Sequence, residues 1–241
     1  MRYFMNKKWI KFEPNKDTFV AFITGFIMIF AFYGWTHFFV NDHGIGYLIY
    51  SLLILLLPVL FPIWWMVWHR GYPLSELGLT KNRLFTSILI SFVLFLFFGT
   101  LILIKYPFYS VIPNLIVATL SLWEAFFVFS WLQLRFDKAF GILPGILLAS
   151  GFFAAYHLCT VPLTLLIIIF LKDILLSSAF RITSNLLVIW PLAWITANGL
   201  GTLLTITFLT GETSWNSGQI ALLAIILIIQ LLYIFYSSKK A

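Results

Sequence analysis

Apolar residues come in eight long runs, at residues 18–40, 46–68, 84–105, 112–134, 140–158, 160–180, 185–209 and 217–236. Each approaches or exceeds the roughly 20 predominantly apolar residues that carry a helix across a bilayer. The longest interruptions are the N-terminal tail and the stretch from His69 to Arg83, which leave no room for a soluble domain. The pattern predicts an all-α, polytopic membrane protein of about eight transmembrane helices. It forms one domain over residues 1–241, of which 1–17 is a basic tail, without an internal repeat or low-complexity segment.

Composition agrees with that reading. The chain is 62% hydrophobic, 20% aromatic and only 10% charged, a balance foreign to water-soluble domains. The opening "MRYFMNKKWIKF" resembles a signal peptide in its charge, but the apolar run after it is too long and lacks a small-residue cleavage site, so a retained first helix is expected. Trp9, Phe4 and Phe12 beside Lys7, Lys8 and Lys11 suit the tail to anionic headgroups, or else to a simple solvated flank.

Charge adds orientation. With loops alternating sides, Arg2, Lys7, Lys8, Lys11, Lys16, Arg70, Lys81, Arg83, Arg135, Lys138, Arg181, Lys239 and Lys240 fall on one side and Lys105 alone on the other. That asymmetry places both termini in the cytoplasm. The net charge of +7 is therefore a topology signal, and the bilayer rather than nucleic acid is the expected partner. No Gly-rich phosphate loop suggests a nucleotide, and Cys159, the single cysteine, allows neither an intrachain disulfide nor a cysteine-cluster metal site.

Most tryptophans mark the headgroup boundary, as Trp64, Trp65 and Trp68 do at the end of the second run, whereas packing and a pocket compete for Trp123, Trp131 and Trp194. Ionisable residues inside spans default to function because a charge in hydrocarbon is costly. Lys172 and Asp173 lie near the cytoplasmic end of the sixth run, where the lysine can snorkel and the pair can neutralise itself. His37, His43 and His69 are interfacial, which leaves Glu124 in "LSLWEAFFVFSWLQLR" and His157.

The spacing around His157 turns it inward. In "GILPGILLASGFFAAYHL", Gly141, Gly145 and Ala149 form a ridge that leads to Phe153 and His157, and small residues at that step admit a neighbouring helix. In "VIWPLAWITANGLGTLL", Ala193, Ala197 and Gly201 repeat the arrangement, with Trp194 and Asn198 on the adjacent ridge. At 1.5 Å rise per residue, Glu124, Asn198 and His157 sit about 16, 20 and 24 Å from the cytoplasmic ends of their helices. Tilt covers that spread, so the three side chains can share one buried site.

These motifs resemble the CPBP family, the CAAX-protease and bacteriocin-processing (Abi) membrane proteins, whose pattern is E-E-x-x-x-R, then F-x-x-x-H, then H-x-x-x-N. The resemblance spans the whole chain at the level of helix count, and "LSELGLT" is similar to a short signature of these proteins. The first motif reads Glu124-Ala125-Phe126-Phe127-Val128-Phe129, the second Phe153-Ala154-Ala155-Tyr156-His157, and the third Trp194-Ile195-Thr196-Ala197-Asn198. The resemblance implies a CAAX-protease-like bundle in a bacterial cytoplasmic membrane. It further implies a metal-linked peptidase site in which Glu124 and His157 activate water and Asn198 supports the metal or the oxyanion, with zinc the cofactor it suggests. Phe129, Phe153 and Trp194 would then line the substrate.

Ala125, Phe129 and Trp194 stand where the family keeps its second carboxylate, its arginine and its third-motif histidine. A catalytic zinc usually has three protein ligands and an open water position. Glu124 and His157 give two, and asparagine is a weak third. Losing the arginine also removes a cation and its donors from the site. The expected function is therefore a catalytically impaired member that binds a peptide or membrane protein as a regulator, scaffold or bacteriocin-type immunity factor. The alternative is an active intramembrane metalloendopeptidase that cleaves a membrane-proximal peptide, prenylated or leader-like, with Glu124 and His157. A secondary transporter fits least, because no two halves share a motif.

Overall fold

The computed structural model describes residues 8–39, 44–158, 160–209, 225 and 227–236, and these form helices and connections with no strand among them. Helix α1 (Lys16–Gly34) begins at Asn15, whose side chain accepts from the Thr18 amide at 3.0 Å while the Thr18 hydroxyl accepts from the Asn15 amide. That reciprocal cap satisfies donors that a helix start otherwise leaves open. Helix α2 (Ile45–Ile63) bends by 45° near residue 55, where Pro58 cannot donate to the carbonyl four residues back. Both helices run on as π-helical turns, Trp35–Phe39 and Trp64–His69.

Helix α3 (Leu84–Lys105) shows how the bilayer reverses the soluble pattern. Phe85 and Ile104 are 80% and 73% exposed, whereas Ser87 and Ser91 are buried against protein. Exposed apolar surface at that density is a lipid face. Helices α4 (Phe108–Leu120) and α5 (Leu122–Ala125) are separated by a break at Ser121, across which the chain turns by 51°. The Ser121 hydroxyl donates to Ala118 O at 2.9 Å and draws off a helix carbonyl there. From α5 the chain continues through a fully buried π-helical stretch, Phe126–Gln133, into α6 (Leu134–Phe140). Then follow α7 (Ile142–Tyr156), α8 (Leu163–Thr183) and α9 (Leu192–Leu209), with a last helical segment at Leu227–Tyr236. Helix α9 packs on α3 and α4, and α7 packs on α8, α6 and α1.

Among the described residues, three helices are long and apolar enough to cross a membrane, or five if each bent pair is one span, and Ile142–Tyr156 and Leu227–Tyr236 are shorter apolar helices. The protein is therefore an all-helical integral membrane protein. The fourth run of the sequence is not one straight helix but the bent pair α4–α5, and the seventh begins with a 3-10 turn, Leu186–Val188, and becomes α-helix only after Pro191. Cys159, His43, the start of the eighth run and the chain ends lie outside the described residues.

Charged side chains gather at one end of the bundle. Arg70 pairs with Asp17 at 3.2 Å, Lys138 pairs with Glu76, Arg181 approaches Asp137 at 3.6 Å, and the buried Arg135 donates to Glu76 O. The Glu76 loop is docked there by Leu186 N donating to Gly78 O at 2.9 Å and by the Asn185 amide donating to Thr80 O and Asn82 O. The described part of the basic tail is strapped to the same end. Lys11 and Glu13 donate to the Phe140 and Ala139 carbonyls, and Ile142 and Leu143 donate to Lys8 and Trp9. Gly141, at φ +96°, permits the crossing, since a Cβ there would lie 2.8 Å from Trp9 O. Glu13 accepts from Lys11 at 2.8 Å, and that ammonium holds its carboxyl below the usual range.

Candidate functional site

The break at Ser121 sets the first residues of the site. Because its hydroxyl donates to Ala118 O, the oxygen keeps lone pairs for others. It accepts from Asn198 Nδ2 at 2.8 Å and from Trp194 Nε1 at 3.2 Å, two side chains one turn apart on α9. Asn198 Nδ2 also donates to Glu124 Oε2 at 3.2 Å. Glu124 is thus anchored across the helix interface and is 7% exposed. The Tyr156 hydroxyl is buried beside it and faces its carboxylate.

His157 ends α7, and its Nδ1 lies 2.8 Å from Phe153 O. A carbonyl can only accept, so the proton sits on Nδ1 and Nε2 is left with its lone pair. No hydrogen bond joins His157 to Glu124 among the described residues. The sequence expectation placed Glu124, His157 and Asn198 in one site. The structure joins the first and third directly and brings the second to the same cavity as Asn198 without direct contact to the glutamate.

That cavity has a volume of about 240 Å³ and is lined by Phe153, His157, Thr160, Lys172, Asn198 and Thr205 together with their neighbours. Thr160 and Val161 of the α7–α8 connection line it, at the opposite end of α7 from the charged pairs. A larger cavity of about 500 Å³, lined by Val59, Ile63, Leu79, Leu122 and Trp190, is almost wholly apolar, with Lys81 its only charged lining residue.

Lys172 corrects the sequence reading. It does not snorkel to a headgroup; it is 6% exposed, eleven residues short of the end of α8. Its ammonium lies 5.0 Å from the Phe153 ring centroid and 5.7 Å from that of Trp194, and it faces both the Glu124 and Asp173 carboxylates. A desolvated cation over two aromatic faces is held by their quadrupoles as well as by the carboxylates. Gly201 lines the same cavity beside it. Asp173 is fully buried and accepts from the Ser177 hydroxyl at 3.5 Å.

Phe153, expected to line the substrate, does line the cavity. Phe129 and Trp194 are fully buried behind it, edge to face with each other at 6.0 Å, and Trp194 is likewise edge to face with Phe153 at 5.9 Å. Aromatic packing therefore fills positions 129 and 194.

The donors do not fit a catalytic zinc. Among the described residues no three His, Cys, Asp or Glu side chains gather. Oε2 of Glu124 accepts from Asn198, whose nitrogen faces it and Ser121. The ammonium of Lys172, which lines the same cavity, would repel a dication. No known protein family, curated protein or solved structure matches this chain.

Proposed function

We propose that this integral membrane protein is a CAAX-protease-like bundle of about eight spans with both termini in the cytoplasm. Its buried cavity serves to bind a peptide or membrane-protein partner without hydrolysing it. The role is that of a regulator, scaffold or bacteriocin-type immunity factor. One observation carries this reading: Glu124 is tied through Oε2 to Asn198, is faced by Lys172, and makes no hydrogen bond to His157 among the described residues. A general base must reach the water it activates, and a metal needs free ligands. What remains is a small polar chamber within a membrane protein, suited to recognition.

Site-directed photo-crosslinking in membranes tests it. A photoreactive residue at Val161 or Thr205, both lining the cavity, is expected to give one specific adduct, and lipid-facing Phe85 none. The adduct should persist in Glu124→Gln. Stoichiometric zinc and a peptidase activity, both lost in Glu124→Gln and His157→Ala, would overturn the proposal in favour of the active endopeptidase.

A further inference from the structure

The polar groups around the 240 Å³ cavity are unequally matched. Lys172 brings three N–H donors, and among the described residues none of them has a hydrogen-bond acceptor; aromatic faces and charge alone hold it. The other groups offer acceptors. His157 has only Nε2 left, because Nδ1 is committed to Phe153 O. Asn198 has only its oxygen left, because its nitrogen is committed to Ser121 and Glu124. Thr160, Thr202 and Thr205 each donate their hydroxyl proton to a backbone carbonyl of their own turn, at 2.9, 3.1 and 2.9 Å, and keep only lone pairs.

One strong donor facing several acceptors selects its ligand by complementarity. A free carboxylate would satisfy Lys172 but press its second oxygen against acceptors. An amine would satisfy the acceptors but meet the ammonium. An amide meets both, its carbonyl oxygen accepting from Lys172 and its N–H donating to His157 Nε2 or Asn198 Oδ1. Because the Asp173 and Glu124 carboxylates already face the ammonium, a neutral ligand adds no further charge to the interior. The volume equals about eight waters at ~30 Å³ each, room for one peptide unit and its flanking atoms.

We infer that Lys172 is the anchoring group of an amide-binding site, in which a backbone peptide unit of the partner places its C=O on Lys172 and its N–H on His157 or Asn198. The inference rests on the peptide-binding reading and names what that site grips.

The full chain in lipid nanodiscs, with histidine labelled with ¹⁵N and His157→Gln used for assignment, allows a direct test. N-acetyl-alanine N-methylamide, acetate and methylammonium are titrated separately while the His157 Nε2 resonance is followed. The amide is expected to shift it saturably, and the two ions are not. Lys172→Met should weaken the amide about tenfold or more, the loss of one hydrogen bond to a charged group. The Nδ1 resonance that reports the Phe153 bond should stay unchanged, which shows that the variant is folded. Lys172→Arg should retain most of the affinity. Acetate acting as well as the amide, equal binding in Lys172→Met, or no saturable shift, as a cavity holding only water would give, overturns the inference. A photo-adduct without amide binding would leave the binding role standing and remove this account of it. Amide binding without an adduct would do the reverse.

Discussion

The Lys172 ammonium and the Phe153 ring, 5.0 Å apart, join the cation of α8 to the aromatic of α7 at the floor of the cavity. A lysine so placed depends on the Asp173 and Glu124 carboxylates that face it, and they depend on it. Removing one member of a buried charge cluster strands the others, typically at about 3–5 kcal/mol, whereas neutralising oppositely charged members together costs less. Lys172→Met alone is therefore expected to lower the thermal midpoint in detergent substantially. Glu124→Gln combined with Lys172→Met should recover part of the loss, since Asp173 is still left without its cation. A double variant whose loss is the plain sum of the two singles would show that the residues do not act as a pair.

Much of this site was legible in the chain, and the failures have physical causes. Glu124 stood out because a lone carboxylate in an apolar run needs a reason, and the ridges of small residues turned His157 and Asn198 inward correctly. Lys172 was misplaced because the sixth run was expected to end at residue 180 and a lysine near a helix end normally snorkels. The helix continues to Thr183, and the Phe153 and Trp194 rings, on two other helices, make the interior hospitable. Ser121 carried no such mark. A serine in a membrane helix usually bonds its own backbone, and only the break between α4 and α5 shows that it also takes two protons from α9.

That double acceptance gives Ser121→Ala a defined cost. The substitution removes the acceptor shared by Trp194 Nε1 and Asn198 Nδ2, and the Trp194 donor has no other partner shown. An orphaned buried donor costs about 1–3 kcal/mol. Ser121→Ala should fall in that range by thermal or denaturant unfolding in detergent, and Ser121→Thr, which keeps the hydroxyl, should lose less. Equal stability of Ser121→Ala and wild type would mean that the hub at the helix break is not maintained.

The joint between α6 and α7 can be tested by a matched pair of glycines. A Cβ on Gly145 would fall 1.9 Å from Asp137 Oδ1 and 2.8 Å from the Asp137 amide, whereas one on Gly151 meets nothing within 4 Å. Gly145→Ala must push α6 and α7 apart and disturb the Asp137–Arg181 pair, so it should destabilise by about 1–3 kcal/mol or more, as overpacking does. Gly151→Ala, in mid-helix, should be neutral or slightly stabilising through helix propensity. Protease sensitivity in detergent ranks the two directly, and the reverse order would contradict the helix contact.

Orientation gives the last prediction. Arg70, Lys81, Arg83, Lys138 and Arg181 belong to one end of the bundle, and Lys105 ends α3 at the other. Positively charged connections are retained in the cytoplasm during insertion, so the end bearing Lys81 should face inward and the α7–α8 connection, whose Thr160 and Val161 line the cavity, outward. In a Cys159→Ala background, Lys105→Cys should react with a membrane-impermeant maleimide on intact cells, and Lys81→Cys only after permeabilisation. Labelling of Lys81→Cys in intact cells would invert the topology and open the cavity to the cytoplasm, where its peptide partner would then have to be sought.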